Sequence, residues 1–111
     1  LYETQFTGRK SGRDVDKFKE TGLTAVPAQA VKAPLIDECW GHVECKVIKT
    51  VDVGVHTLFI GEIVAASVTE GYFDNGIVLG EDKARLIQFL GGMKYGILDH
   101  GTKAPLTKDQ V

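Results

Sequence analysis

Residues 11–18 read Ser-Gly-Arg-Asp-Val-Asp-Lys-Phe, a glycine-containing loop running into a helix start, with Arg9, Lys10 and Lys17 around it. Free backbone N–H groups and the positive end of a helix dipole favour an anion at such a place, and Lys17 adds a full charge. Phosphate is the ligand this chemistry suits; a capped surface helix built from the same residues is the alternative reading. His56 leaves the Gly54 turn at the mouth of a strand, where its imidazole either faces a ligand or sits on a surface turn. Phe89 and Tyr95 bracket Gly91-Gly92, so a flat aromatic beside exposed backbone can contact a planar ring, with core packing of Phe89 as the alternative.

Other chemistries find no support. No Ser-His-Asp constellation, metal triad or GxGxxG loop can be assembled from the remaining residues. Cys39 and Cys45 lie six positions apart, about 20 Å if both are on one strand, which is too far for a disulfide. They read as reduced thiols that pack as small, half-buried hydrophobes, and the scattered His42, His56 and His100 do not make a zinc site. Thirteen Lys and Arg against fifteen Asp and Glu give a formal charge of -2, without the basic excess of a nucleic-acid groove or an anionic-membrane surface. The longest apolar run, Ile63 to Ala66, is far short of a membrane span, and no signal-peptide pattern opens the chain. A soluble, cytoplasmic protein is expected, and 111 residues with 43% apolar content make one domain with a modest core.

The elements that must position these residues are mainly β. Leu1 to Phe6 reads as the end of a helix stopped by the polar loop at 7–12. A Ser-x-x-acid start at Ser11 to Asp14, an apolar face of Val15 and Phe18, and Gly22 predict a second short helix. Leu23 to Pro34, with two prolines, reads as an extended surface connection without chemistry. Val43, Cys45 and Val47 alternate with His42, Glu44 and Lys46, a half-buried strand with its polar residues on the wet face. After a turn at 52–55, Thr57 to Val68 is a long second strand in which Gly61 marks a bulge or a close backbone approach and a bulge would re-aim Glu62. Asp74-Asn75-Gly76 is a turn, 81–86 a brief helical turn, and Ile87 to Leu90 and Tyr95 to Leu98 flank a glycine break. Residues 102–111 read as a polar, flexible tail. Short turns between strands argue for an antiparallel β-rich α+β domain, with too few strands to close a barrel.

Several ordered segments resemble the flavin reductase family and, within it, flavoredoxins: 11–18, Gly-Leu-Thr at 22–24, Ala-Pro-Leu-Ile-Asp-Glu at 33–38, Glu-Cys-Lys-Val at 44–47 and Val-Gly-Val-His-Thr-Leu-Phe-Ile-Gly-Glu-Ile at 53–63. The resemblance implies an FMN-binding split β-barrel that works as a homodimer, of which residues 1–111 are the C-terminal part of a single domain, lacking the N-terminal strands. It implies that Lys17 serves the FMN phosphate, that Ser11 and Gly12 shape the phosphate loop, that His56 lies beside the isoalloxazine ring and that Phe89 lies near the flavin. Val55 stands where many reductase relatives carry Asp, which leans towards a flavoredoxin-type electron carrier, with donor and acceptor unspecified. The competing expectation is a noncatalytic β-rich interaction or structural module that no longer binds flavin.

Overall fold

The computed structural model describes residues 1–104, which fall into two compact units, Tyr2–Glu70 and the segment from Gly71 onward. In the first unit, α1 (Tyr2–Arg9) and α2 (Lys17–Thr21) precede the strands β1 (Ala25–Val26), β2 (Leu35–Ile36), β3 (Gly41–Asp52) and β4 (Thr57–Val68). The second holds β5 (Leu86–Gly91) and β6 (Lys94–Leu98). The fold is mainly β, and the strands pair antiparallel as three two-stranded sheets, β1 with β2, β3 with β4 and β5 with β6. None of these sheets closes on itself. Among the described residues no helix is long and apolar enough to cross a membrane.

The helices differ from the sequence reading at the end of α1 and at the start of α2. α1 runs on through Thr7, Gly8 and Arg9, because Thr7 Oγ1 donates to the Glu3 carbonyl at 2.8 Å and the Lys10 amide reaches the Phe6 carbonyl at 3.1 Å. α2 begins at Lys17 rather than Ser11. Ser11 closes a turn of its own, its Oγ accepting from the Arg13 amide and its carbonyl from Asp14 and Val15. Asp16 is the residue that caps the helix, accepting from the Lys19 amide at 3.1 Å, so two polar residues that can each cap divide the segment between them. Gly22 ends α2 in the left-handed conformation, as the sequence predicts.

β4 matches the predicted long strand, β3 extends the strand read at 42–47 to Gly41–Asp52, and the register fixes what Gly61 does. The ladder slips twice, leaving Val64 as the extra residue on β4 and Ile48 as the extra residue on β3. Gly61 lies beside one slip and is itself a close-approach position, because a Cβ there would stand 2.9 Å from the Cβ of Cys45. Glu62 pairs with Lys46 and remains exposed.

The burial pattern of β3 reverses the expectation. Val43 and Val47 are 60% and 61% exposed and Cys45 is exposed, whereas His42 is half-buried and Glu44 is only 2% exposed. The reason lies in the segment read as a featureless connection. Ala25 and Val26 pair with Ile36 and Leu35, and the loop between them folds over the polar face of β3, where Glu44 accepts hydrogen bonds from its amides. Apolar side chains on both strands, including Ile48, Leu58, Phe59 and Ile63, are exposed instead.

In the second unit the turn at 74–76 brings Phe73 opposite Ile77 as predicted. Residues 81–86 do not form a helical turn: the Lys83 amide closes a turn on the Gly80 carbonyl, and Ala84 bridges to Leu79, which carries the chain straight into β5. Ala84 is the buried apolar residue of the described chain. The glycine break proves to be a hairpin in which Gly92 takes φ of 60°, a conformation costly for a residue with a Cβ.

A side chain at Gly61 has nowhere to go, since the nearest atom is another residue's Cβ rather than a mobile tip. Gly61→Val should lower stability by about 1–3 kcal/mol in denaturant unfolding, whereas Gly8→Ala, in open space on α1, should be neutral or slightly stabilising.

Candidate functional site

The turn at Ser11 and the cap at Asp16 together hollow out a recess of about 590 Å³ lined by Gly12, Arg13, Asp14, Val15, Asp16 and Lys17. Lys17 opens α2 with its side chain folded back, Nζ donating to the Thr7 carbonyl in the last turn of α1 at 2.7 Å. That bond places a cation against the negative end of α1 and uses one of the three ammonium hydrogens. Two remain for a ligand oxygen, and Arg13 adds a second cation to the lining. The carboxylates of Asp14 and Asp16 share the recess, and Asp16 is committed to the Lys19 amide. The donor set suits an anion bound by Lys17 and Arg13, which is the chemistry of a phosphate end rather than of a planar ring.

The structure gathers only part of the predicted site. Gly12 and Lys17 line the recess and Ser11 forms the turn leading into it. His56 belongs to the tip of the β3–β4 ribbon, where Asp52 Oδ1 accepts from the Gly54 amide at 3.0 Å and the Val53 amide donates to the His56 carbonyl at 3.0 Å. Its side chain is exposed and is not part of the recess lining. Phe89 lies on β5 in the other compact unit, opposite Tyr95, with ring centroids 5.5 Å apart. At 63% exposure Phe89 presents a flat aromatic surface in this chain.

Three polar anchors were not legible in the sequence. Glu44 accepts from the amides of Gln29 at 3.1 Å and Ala30 at 2.7 Å. Glu38 accepts from the Thr24 amide at 2.9 Å and the Thr24 hydroxyl at 2.8 Å. His42 Nε2 meets the Ile36 carbonyl at 2.7 Å, so that nitrogen carries the proton in this bond. The only sequence signal was an acid and a histidine at successive positions on one strand face, which by itself reads as solvated. Backbone hydrogen bonds, that of Ala30 foremost, hold the Glu44 carboxyl below the ordinary glutamate value, and the Thr24 amide and hydroxyl do the same for Glu38. Cys39 and Cys45 are free, as expected, though both are exposed. Among the described residues no group of His, Cys, Asp and Glu could hold a metal ion.

Residues 3–89 match the family described as the flavin reductase like domain. An uncharacterized protein of Pyrococcus abyssi is 40% identical over 76 residues, covering 68% of this chain and 43% of that protein. A ferric-chelate reductase (NAD(P)H) of Archaeoglobus fulgidus is 38% identical over 71 residues, covering 58% of this chain and 38% of that protein. The solved flavoredoxin of Desulfovibrio vulgaris (Miyazaki F) superposes with a TM-score of 0.78 at 28% identity, over 98% of this chain and 58% of its own. The fold is thus flavoredoxin-like, and the chain spans less than half the length of these two curated relatives.

The lowered carboxyls give stability an acid limb. A carboxyl lowered on folding contributes fully above its unfolded value, here 4.5, and that contribution is lost as pH falls through the lower, folded value. Urea midpoints measured from about pH 6 to about pH 3 should fall, and Glu38→Gln should make the fall shallower by removing one of the two titrating anchors.

Proposed function

The chain belongs to the flavin reductase like domain family, and on that premise we propose that it forms part of an FMN-binding flavoprotein that passes electrons between a reduced donor and an acceptor. The observation that carries the FMN reading is the recess at 12–17, where Lys17 and Arg13 offer cationic donors of the kind a phosphate requires. In this reading Lys17 binds the phosphate oxygens through the hydrogens not used on Thr7, and Gly12 and Ser11 shape the loop. His56 and Phe89 serve the ring end, His56 as a tuning charge and Phe89 as an aromatic surface. The flavin, when bound, supplies the redox chemistry, and the protein contributes binding, orientation and electrostatics. Val55 beside His56 leaves that imidazole without an adjacent acid, which favours an electron carrier over a proton-transferring reductase.

The wider assembly belongs to the same proposal. The exposed apolar side chains of the β3–β4 ribbon are surface that further strands of a split barrel and a second copy in a homodimer would cover. Two free thiols suit a reducing, cytoplasmic location.

The longest natural form of the protein should purify yellow, and acid release followed by chromatography should identify FMN; a colourless protein that also ignores added FMN would overturn the reading. Lys17→Ala should weaken FMN by about 1.5–3 kcal/mol, roughly tenfold to a hundredfold, while leaving riboflavin nearly unaffected, because only FMN carries the phosphate. Equal losses for both ligands in parallel titrations would remove Lys17 from the phosphate site. His56→Asn should cost FMN affinity less than Lys17→Ala does.

A further inference from the structure

The segment from Pro27 to Pro34 is an excursion with a tied base. At that base Ala25 pairs with Ile36, Val26 with Leu35, the Asp37 amide reaches the Thr24 carbonyl at 2.9 Å, and Glu38 holds Thr24. Beyond the base the chain bends without strand or helix through residue 33. Prolines at both ends fix φ there and remove two amide donors. The amides of two successive residues, Gln29 and Ala30, converge on one acceptor, the Glu44 carboxylate, donating at 3.1 Å and 2.7 Å. Glu44 is 2% exposed although it stands on a ribbon whose other side chains are largely in water. The loop therefore covers Glu44, and Glu44 holds the loop.

We propose that residues 27–34 form a strap that closes over β3 as a unit, with the Glu44 carboxylate as its latch. Loss of that carboxylate's charge or acceptor set frees the strap from its tied base and uncovers the His42–Glu44 face of the ribbon, while the β3–β4 ladder stays intact. The asymmetry follows from where the bonds are. The ladder has its own inter-strand hydrogen bonds from Gly41 to Val68, whereas the strap's amides depend on a side chain. The carboxylate offers one acceptor oxygen to each amide, Oε2 to Gln29 and Oε1 to Ala30; a protonated or amidated group keeps one acceptor and turns the other into a donor, so one amide loses its partner.

The ionisable surroundings leave this latch to Glu44. On the strap the ionisable residue is Lys32, and on β3 the neighbours are His42 and Lys46. His42 favours the charged carboxylate when protonated, while its Nε2 is held on the Ile36 carbonyl, and Lys46 stands opposite Glu62. β4 places Ala65 opposite Glu44 and carries no ionisable side chain from Ile63 to Ser67.

Amide hydrogen exchange on the full-length protein containing this chain tests the strap, with the ladder as internal control. In Glu44→Gln the amides of Gln29 and Ala30 should exchange about tenfold or more faster than in the wild type, with those of β3 and β4 unchanged. In the unmutated protein, exchange corrected for the intrinsic pH dependence should show the same two amides losing protection as pH falls through the lowered Glu44 range, before the ladder does. Unchanged protection at both amides in the variant, or loss of strap and ladder together in both experiments, would overturn the proposal.

Discussion

The contact of Gly61 with Cys45 is the constraint on which the larger unit turns. With a would-be Cβ at 2.9 Å, the two strands approach too closely there for a second side chain, and the slips at Ile48 and Val64 set the pairing on either side. Because successive strand residues alternate faces, displacing that register by one position would send every side chain of β3 to the opposite face. Glu44 would then leave the loop it holds and His42 would leave the Ile36 carbonyl. The ribbon is therefore the frame from which both the covering loop and the His56 tip are hung.

What fastens the rest to that frame is polar. The unit from Tyr2 to Glu70 ties its connections through Glu44 to the Gln29 and Ala30 amides, Glu38 to Thr24, His42 to Ile36 and Lys17 to Thr7. Its apolar side chains face outward from the ribbon, with Phe59 at 64% and Ile63 at 65% exposure. Charged acceptors on backbone amides give directional anchoring, since a carboxylate bond to N–H is stronger than a neutral one. The same anchoring makes loop geometry depend on protonation, which apolar packing would not.

The recess at 12–17 shares this design. Lys17 joins the two helices through a backbone carbonyl and at the same time presents its charge to the hollow between Gly12 and Asp16. One side chain thus has a structural partner and a free donor capacity, a division that fixes the ammonium in place. Preorganised cations of this kind bind anions at a smaller entropic cost than mobile surface lysines do.

The sequence by itself determined the local features that depend on residue type at short range. The long strand at Thr57 to Val68, the left-handed stop at Gly22 and the turn at Asp74 to Gly76 follow from propensity, φ preference and spacing, and the structure has them all. The ordered motifs also carried the family, since motif order is a property of the chain. Only the tertiary structure decided which face of β3 is covered. Alternation told His42 and Glu44 apart from Val43 and Val47, but it could not say which set faces the protein, because that depends on a loop 14 or 15 residues away in sequence supplying amides to Glu44. Likewise the competition between Ser11 and Asp16 for the start of α2 was settled by which oxygen met which amide, and the placement of His56 and Phe89 by strand ends far apart along the chain. Local preference sets what each segment can be; partners distant in sequence set what it covers, because burial and hydrogen bonding are properties of pairs.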